Sequence, residues 1–388
     1  MSMWKECEGL QEELVKMRRE LHQIPEFGLD LPETQKYVTD KLDELGIPYK
    51  CSGTDSSIIA EIKGGQPGKT VALRADMDAL KITEANDVDY KSKHEGLMHA
   101  CGHDNHITML LGAAKVLNAH KAEIKGNVRL LFQTAEELSK GAEIMIKDGA
   151  MDGVDAVFGQ HIGSIINKDI PAGKVIITPG CCMASFDRFV IHVKGTGCHG
   201  STPEKGTDPI TMASHIVINL REVSAVKAAV VTIGYFHGGV AYNAIPSEVE
   251  IEGTIRALEE PMRQYLAKRI EEIAKSTAAT FRGTAEVEMD WGAPPVINND
   301  EMAALVTEAA KEVVGEEDVV SKVPAPNMAG EDFAYYLQKA PGAFFFLSSS
   351  NPVKHTDVPH HNPHFNVDED VLYKGSAMFV KIVEAYLK

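Results

Sequence analysis

Apolar residues in the first third of the chain follow a helical period in three places. The first pattern ends at Pro25 and contains Leu10, Leu14, Met17, Leu21 and Ile24. A second pattern follows Pro32 and stops before Gly46, a residue type that often ends helices. A third runs through residues 107–119, with one apolar face. Three helices are therefore predicted before residue 120.

Between these helices lie short runs rich in β-branched residues. They cover residues 57–62, 70–74, 127–133, 156–159 and 344–347. Several are apolar at consecutive positions, which is typical of strands buried on both faces. Alternation of such strands with helices predicts an α/β fold with a mixed, largely parallel sheet flanked by helices.

Residues 183–295 follow a different order. Strands are predicted at 186–194, 230–236, 249–258 and 285–291, and helices at 210–220 and 262–281. The resulting β-α-β-β-α-β order is that of a ferredoxin-like α+β domain. Pro179-Gly180 and Pro294-Pro295 are suitable linkers on either side. We therefore predict a catalytic domain of residues 1–182 and 296–388, interrupted by an inserted domain of residues 183–295.

Composition and charge exclude some classes of binding partner. The 388 residues carry 39 basic and 56 acidic side chains, a net charge of −17. Such a chain is repelled by nucleic acid and by anionic membranes, so neither is an expected partner. A small anionic substrate would need a local cationic anchor. We expect a cytoplasmic protein with reduced thiols, because no signal peptide or membrane span is evident and the six cysteines show no disulfide spacing.

Polar residues with catalytic chemistry follow the predicted strands. Asp76 and Asp78 come after residues 70–74, Glu136 and Glu137 after 127–133, and His161 after 156–159. In open α/β sheets, ligands bind outside the carboxyl ends of the strands. These side chains are therefore expected to converge at one edge of the sheet.

The residue types at this edge indicate a metal. Cys101 and His103 stand two residues apart around the flexible Gly102. Thiolate, imidazole and carboxylate together suit zinc best, with manganese, cobalt or nickel as alternatives. The competing interpretation is a buried cysteine beside a structural histidine. For the Glu136-Glu137 pair, one carboxylate could bind metal and the other act as general base, or both could be solvated at a helix start.

The remaining histidines are ambiguous when considered singly. His161 could be a structural histidine, and a surface run would explain His355, His360, His361 and His364. In the inserted domain, His199 lies in a glycine-flanked turn, and Arg256 lies on a strand where a surface salt bridge is the competing interpretation.

Taken together, the motifs resemble one family of metal-dependent amidohydrolases. They are the segments 74–80, 99–104, 135–137, 160–161, 330–333 and 361–365, which read RADMDAL, HACGHD, AEE, QH, GEDF and HNPHF. This family contains hippurate hydrolases, N-acyl-L-amino acid amidohydrolases, N-acetyldiaminopimelate deacetylases and auxin-conjugate hydrolases. It belongs to the aminoacylase and dimetal exopeptidase superfamily. The resemblance covers essentially the whole chain and implies a zinc-exopeptidase-like fold.

The resemblance also implies roles for individual residues. The metal ligands would be Cys101, His103, Glu137, His161 and His361. Glu136 would be the general base, and Asp78 would hold a ligand histidine in one tautomer. His199 would stabilise the oxyanion, with Asn243 and Arg256 holding the substrate carboxylate. Lys81, Asn105 and Cys198 depart from the residues usual in this family.

The function implied is hydrolysis of the amide bond of an N-acyl amino acid, giving a carboxylic acid and a free amino acid. Two divalent ions per subunit, zinc or manganese, would activate the water. Homodimerisation through the inserted domain is implied as well. A dipeptidase or carboxypeptidase with the same metals, and a catalytically silent binding protein, are the alternatives.

Overall fold

A computed structural model describes residues 2–224, 228–321 and 326–388. The helices are α1 (Gln11–His22), α2 (Pro32–Leu45), α3 (His103–Ala119), α4 (Gly141–Lys147), α5 (Pro209–Asn219), α6 (Arg221–Ser224), α7 (Glu260–Thr280), α8 (Asp300–Val314), α9 (Ala334–Leu337) and α10 (Leu372–Tyr386). The strands are β1 (Tyr49–Cys51), β2 (Ile58–Lys63), β3 (Gln66–Asp76), β4 (Lys125–Gln133), β5 (Ala156–Gly163), β6 (Val175–Ile176), β7 (Gly180–Met183), β8 (Asp187–Lys194), β9 (Cys198–His199), β10 (Ala229–Gly238), β11 (Ala244–Ile245), β12 (Glu248–Ala257), β13 (Thr284–Asp290), β14 (Val296–Asn298), β15 (Val319–Val320) and β16 (Gly342–Ser348).

The chain divides into two compact units. The first consists of Met1–Cys182, Ile297–Asn327 and Asp332–Lys388, and the second of Met183–Val296 and Met328–Glu331. The second unit thus differs from the predicted inserted domain by Val296 and by Met328–Glu331. The short segment Met328–Glu331 contacts the second unit, where the Arg256 guanidinium donates to the Met328 backbone oxygen at 2.9 Å.

The first unit is built on an eight-stranded sheet of order β1-β2-β4-β3-β5-β16-β6-β15. Its centre is parallel, because β4 and β5 both pair in parallel with β3, and β16 pairs in parallel with β5. The outer strands β2 and β6 run antiparallel to their inner neighbours. The predicted mixed, largely parallel sheet is therefore confirmed.

The helices of the first unit follow from their sequence signals. Pro32 stands at the start of α2, where its missing N–H costs nothing, and Gly46 ends that helix with a φ of 65°. α3 is apolar or buried on nearly every side. Such a helix belongs inside a core, and α3 packs against α10, α1 and β3.

The second unit has its own antiparallel sheet and its own core. The strand order is β10-β12-β8-β13, and α5 and α7 pack on it. Along the chain the order is β8-α5-β10-β12-α7-β13 apart from short pieces, which confirms the predicted β-α-β-β-α-β pattern. The alternating burial along β12 fits a sheet with one covered face.

Two further expectations concern cysteines and membranes. All six cysteines are free thiols. No helix among the described residues has the length and hydropathy that a membrane crossing requires.

Candidate metal centre

The carboxyl ends of neighbouring parallel strands meet at one edge of the large sheet. β3 ends at Asp76, and its parallel neighbour β4 leads into the turn that contains Glu136 and Glu137. On the other side β5 is also parallel to β3. The predicted convergence is thus confirmed in its main point. Two placements were wrong: Asp76 is the last residue of β3, and His161 lies within β5, which continues to Gly163, so neither follows its strand.

A glycine turn at the start of α3 presents Cys101 and His103. Gly102 has a φ of 94°, and a Cβ there would lie 3.1 Å from Cγ2 of Ile162. Glycine is the residue that adopts this left-handed conformation without strain. Cys101 and His103, on either side of it, are both buried. The turn therefore fixes a thiol and an imidazole next to one another inside the protein.

Cys101, His103 and Glu137 form one group of possible metal donors. Each offers a ligand atom, and these atoms lie within 4.8 Å of one another. Nε2 of His103 lies 4.0 Å from Oε1 of Glu137, and Nε2 of His361 lies 3.4 Å from the same oxygen. The side chain of His361 is 53% exposed, so it stands at the solvent border of the group.

His161 approaches the same thiol, with Nε2 3.4 Å from Sγ of Cys101. Its Nδ1 donates to the backbone oxygen of Ile162 at 2.7 Å. His103 is held in the same way, since its Nδ1 donates to the backbone oxygen of Asp78 at 2.7 Å. In the neutral form of either ring, the proton on Nδ1 leaves a lone pair on Nε2, the state in which histidine binds metals. The structure therefore brings all five predicted ligands together, with Cys101 next to both histidines.

The C-terminal histidines point in different directions. His361 faces Glu137, whereas Nδ1 of His360 lies 3.7 Å from Sγ of Cys101. His361 has a φ of 61°, a left-handed conformation that turns the backbone sharply between the two side chains. His364 is exposed.

Two buried polar atoms test whether these residues fit a metal. Nε2 of His103 and Oε1 of Glu137 have no hydrogen-bond partner among the described residues. An unsatisfied buried polar atom costs about 1–3 kcal/mol, so such atoms usually indicate a missing ligand or water. A cation between them would satisfy both. Thiolate, imidazole and carboxylate together are donors that suit zinc and its neighbours. The residues present fit a divalent metal centre.

The electrostatics of the cluster also favour a cation. Burial alone would lower the pKa of His103, but Asp76, Asp78 and Glu137 raise it to about 10. Burial, together with the charge of Glu137, raises the pKa of the Cys101 thiol. Burial is the largest cause of the Cys101 shift, and the nearby carboxylates raise the pKa of both groups. A divalent ion would neutralise the charge of these carboxylates.

Asp78 positions the two glutamates. Its carboxylate accepts the backbone N–H of Glu136 at 2.9 Å and that of Glu137 at 3.2 Å. These bonds hold a strained turn, because Ala135 has a φ of 52°. The nearest carboxylate oxygen lies 3.6 Å from Nδ1 of His103. The backbone oxygen of Asp78 therefore fixes the tautomer of His103, while the Asp78 carboxylate holds the backbone of the two glutamates.

Asp76 lies beside the cluster, but its charge is balanced by other groups. Nη1 of Arg74 donates to it at 2.6 Å, and Nδ1 of His106 donates to it at 2.5 Å. Burial would raise the pKa of Asp76, but Arg74, His103 and His106 hold it well below its usual range. His106 in turn accepts the backbone N–H of Ile162 at 2.9 Å. Asp76 thus links β3 to α3 and β5, and with His103 and His106 it forms a second group of possible metal donors.

A buried charge network next to the Cys101–His103 turn was not predicted. Asp104 accepts from Nε of Arg18 at 2.9 Å and contacts Nδ1 of His22 at 2.7 Å. The other nitrogen of His22 lies 3.2 Å from Glu84, and Arg18 also pairs with Glu369 at 3.2 Å. The sequence signal that could have revealed this network is Arg18 and His22, two polar residues four positions apart among the apolar residues of α1.

In the second unit, the structure brings His199 and Asn243 together. His199 in β9 pairs with Ala244 in β11, and the backbone oxygen of Asn243 accepts the N–H of Gly200 at 2.8 Å. The side chain of His199 accepts the backbone N–H of Ser201 at 3.1 Å and is exposed. The pair therefore forms a short, exposed ladder.

Arg256 lies apart from that ladder, on β12. Its guanidinium lies over the ring of Phe186 at 4.7 Å and donates to the backbone oxygen of Met328. Burial lowers the pKa of Arg256. No carboxylate among the residues described for the second unit forms an ion pair with it, so the salt-bridge interpretation has no support there.

Comparisons with known proteins agree with this geometry. The model of "Peptidase family M20/M25/M40" matches residues 72–385. N-acetyl-L-cysteine deacetylase of Bacillus subtilis is 40% identical over 95% of this chain and 86% of its own length. Thermostable carboxypeptidase 2 of Saccharolobus solfataricus is 40% identical over 94% of this chain and 92% of its own.

A solved structure extends the likeness to three dimensions. The YXEP protein of Bacillus subtilis, described as a dinuclear metal binding peptidase from the M20 family, matches with a TM-score of 0.85 and 34% identity. The match covers 98% of this chain and 99% of that one.

Proposed function

This chain belongs to peptidase family M20/M25/M40, and from that premise we propose that it hydrolyses the amide bond of N-acyl amino acids with Glu136 as general base. Metal-dependent amide hydrolysis is the activity that family membership and the 40% identical relatives support. The proposed ligands and base are supported by the geometry of the site, and the proposed substrate class by the named relatives.

The position of Cys101 carries the proposal. Its sulfur takes part in one donor group with His103 and Glu137, and it lies 3.4 Å from Nε2 of His161. The Cys101 sulfur thus belongs to both the His103–Glu137 side and the His161 side of the cluster, and His361 adds a nitrogen beside Glu137. We assign these five residues as the ligands of two divalent ions, zinc or manganese, with cobalt or nickel as alternatives. When bound, such ions would make water a better nucleophile near neutral pH and would polarise the scissile carbonyl.

Glu136 is placed to move the proton. Asp78 fixes its backbone, and its Oε2 lies 4.0 Å from Nε2 of His103. Its side chain is only 11% exposed, which limits competition from bulk water. The neighbouring Glu137 faces the ligand histidines, so the pair divides into one ligand and one base. Glu136 takes a proton from the attacking water and returns it to the leaving amine.

The substrate class is proposed from the named relatives. One relative is a deacetylase of N-acetyl-L-cysteine, which is an N-acyl amino acid. The roles of His199 at the oxyanion and of Asn243 and Arg256 at the substrate carboxylate stay predictions, as does a cytoplasmic location. Arg256 forms no ion pair with a carboxylate within the described part of the second unit, which supports its role as the cationic anchor that a chain of net charge −17 requires.

A carboxypeptidase is the second candidate, because another relative of equal identity carries that name. Both activities use the same metal centre and base, so they differ only in what surrounds the scissile amide. Initial rates on N-acetyl and N-benzoyl amino acids, compared with free and N-blocked dipeptides, separate the two.

Replacing Glu136 by Gln tests the mechanism. We expect kcat on an N-acyl amino acid to fall by about 10²–10⁴-fold, the usual contribution of a general base. The bound metal should stay at the wild-type content, because Glu136 is not a ligand. Glu143→Gln, on the exposed side of α4, is the matched control and should keep full activity. A Glu136→Gln enzyme with wild-type kcat would remove Glu136 as the base.

We also propose a homodimer formed through the second unit. β10 is an edge strand of its sheet, and Val230, Tyr235 and Phe236 on it are 38–44% exposed. The loop that follows exposes Val240 and Tyr242 completely. An edge strand with exposed apolar side chains is a template for pairing with a second chain.

A further inference from the structure

His360 is a histidine beside the metal cluster that none of the assigned roles uses. Its Nδ1 lies 3.7 Å from Sγ of Cys101, and its ring lies 5.0 Å from the ring of His161. His361, the next residue, instead reaches Glu137. The two adjacent histidines therefore serve different parts of the centre.

The surroundings of His360 are shaped to hold its ring. Gly163 has a φ of 123°, and a Cβ there would lie 2.2 Å from Nε2 of His360. The ring of Phe365 packs on the imidazole with centroids 4.5 Å apart. A side chain at position 163 would displace the ring, so glycine at the end of β5 and Phe365 together keep Nδ1 directed at the sulfur.

The hydrogen bonds of the three imidazoles near Cys101 distinguish the proposed metal ligands from a hydrogen-bond donor. His103 and His161 give their Nδ1–H to backbone oxygens and turn Nε2 to the cluster. His360 turns Nδ1 to the cluster, and its Nε2 is buried with no hydrogen-bond partner among the described residues. As a metal ligand through Nδ1, it would carry an unsatisfied buried N–H at Nε2, which metal-binding histidines avoid.

The other tautomer leaves no donor unsatisfied. With its proton on Nδ1, His360 directs an N–H at the sulfur and leaves only an acceptor lone pair at Nε2. A distance of 3.7 Å between nitrogen and sulfur is within the reach of a hydrogen bond to the larger sulfur atom. A thiolate is a much stronger acceptor than a thiol, so this bond gains most when Cys101 is ionised.

We propose that His360 is a positioning residue that donates a hydrogen bond from Nδ1 to the thiolate of Cys101. This inference rests on the proposed metal centre, in which Cys101 is the shared ligand. The hydrogen bond withdraws electron density from the sulfur. The thiolate would then donate less density to bound metal ions, which would leave them more electrophilic towards water and the substrate carbonyl. The hydrogen bond also fixes the orientation of the thiolate. Hydrogen bonds to cysteine sulfur tune other metal–thiolate centres in this way.

Cobalt-loaded holoenzyme makes the bond observable, because thiolate-to-cobalt charge transfer absorbs in the near ultraviolet. Four variants are compared with wild type: His360→Leu, which removes the donor; His360→Asn, whose amide nitrogen occupies the place of Nδ1; His360→Gln, whose amide nitrogen reaches the place of Nε2; and His364→Leu, an exposed control. For each, cobalt per chain, the band energy and the chelator concentration that removes half of the cobalt are measured.

We expect the band to move to lower energy in His360→Leu and His360→Gln, with two cobalt ions still bound per chain. His360→Asn and His364→Leu should keep the wild-type band. Half-removal of cobalt should need about 10–100-fold less chelator in His360→Leu, because the thiolate loses the hydrogen bond that fixes its orientation, and this loss outweighs the stronger donation of the freed sulfur.

Two results would overturn the proposal. The first is an unchanged band in His360→Leu, which would mean that no hydrogen bond reaches the sulfur. The second is a fall to one cobalt ion per chain in His360→Leu and His360→Asn alike, which would make His360 a ligand. If wild type bound cobalt without any thiolate band, the bridging role of Cys101 would be wrong, and this inference would fail together with it.

Discussion

Arg18 is a fully buried cation on α1, and it pairs with the turn that carries Cys101 and His103, two of the proposed metal ligands. It pairs with Asp104, the residue after His103, and Asp104 accepts the backbone N–H of Asn105 as well. Burial would raise the pKa of Asp104, but Arg18 and His22 hold it well below its usual range. The ion pair of Arg18 and Asp104 thus connects α1 to the turn that holds Cys101 and His103.

Replacing Arg18 by Leu should destabilise the fold by about 3–5 kcal/mol, the usual cost of leaving a buried charge without its partner. Urea unfolding followed by circular dichroism measures this loss. Lys36→Leu is the control, because Lys36 pairs with Asp40 on the exposed side of α2 and should change little. Equal urea midpoints for Arg18→Leu and wild type would contradict a stabilising role for the Arg18–Asp104 pair.

At the residue scale, sequence patterns located the donors but not their partners. Cys101, His103 and Glu137 were identifiable because their residue types and strand-end positions point to the same chemistry. The roles of Arg18 and His360 were not, because each depends on a contact with a residue 86 or 259 positions away. No local period encodes such a contact, and a single histidine or arginine has several equally common explanations.

β10 is the element with the most exposed apolar surface in the second unit's sheet. It pairs with β12 on one side only, and its pattern of alternating burial is lost after Thr232, where a bulge lies between Ile233 and Tyr235. Edge strands in monomers are usually protected by charges or proline. β10 carries neither of these devices within Ala229–Gly238, which supports pairing with a second copy.

A Phe236→Lys substitution tests that pairing. A lysine on the edge strand places a charge in the proposed interface, so we expect a shift from dimer to monomer in sedimentation velocity at micromolar protein. Tyr265→Lys on α7 is the control, because Tyr265 has a similar exposure of 47% in the same unit. Should wild type sediment as a monomer, or Phe236→Lys stay dimeric, the interface through β10 would be wrong.

At the element scale, long periodic segments were predicted well and short ones were missed. The helices α1, α2 and α3 and the strands β2 to β5 match their predicted positions, because each buries a regular set of apolar residues. β6 and β15 have two residues each and join the large sheet at its edge. Two residues carry no detectable period, and only the finished sheet determines their pairing. His161 was placed after its strand for a related reason: β5 continues through polar residues buried by the site.

At the scale of the whole molecule, the chain builds two cores from an interrupted sequence. The larger core surrounds the eight-stranded sheet, and the smaller core lies between the antiparallel sheet and its two helices. The change from helix–strand alternation to a ferredoxin-like order revealed the insertion. The segment Met328–Glu331 was not predicted to belong to the second unit. Its contact with Arg256 is made by a backbone oxygen, and any residue type has a backbone oxygen, so the sequence does not reveal such a contact.

Cys101 is, in our proposal, the ligand that two metal ions would share. Metal content per chain, determined by mass spectrometry on chelated protein reloaded with zinc and freed of excess metal, tests it most directly. Wild type should hold two ions and Cys101→Ala fewer than one, because both sites lose a ligand together. His364→Leu, prepared alongside, should match wild type. Two ions retained in Cys101→Ala, or none bound by wild type, would show that Cys101 is not a ligand shared by two ions.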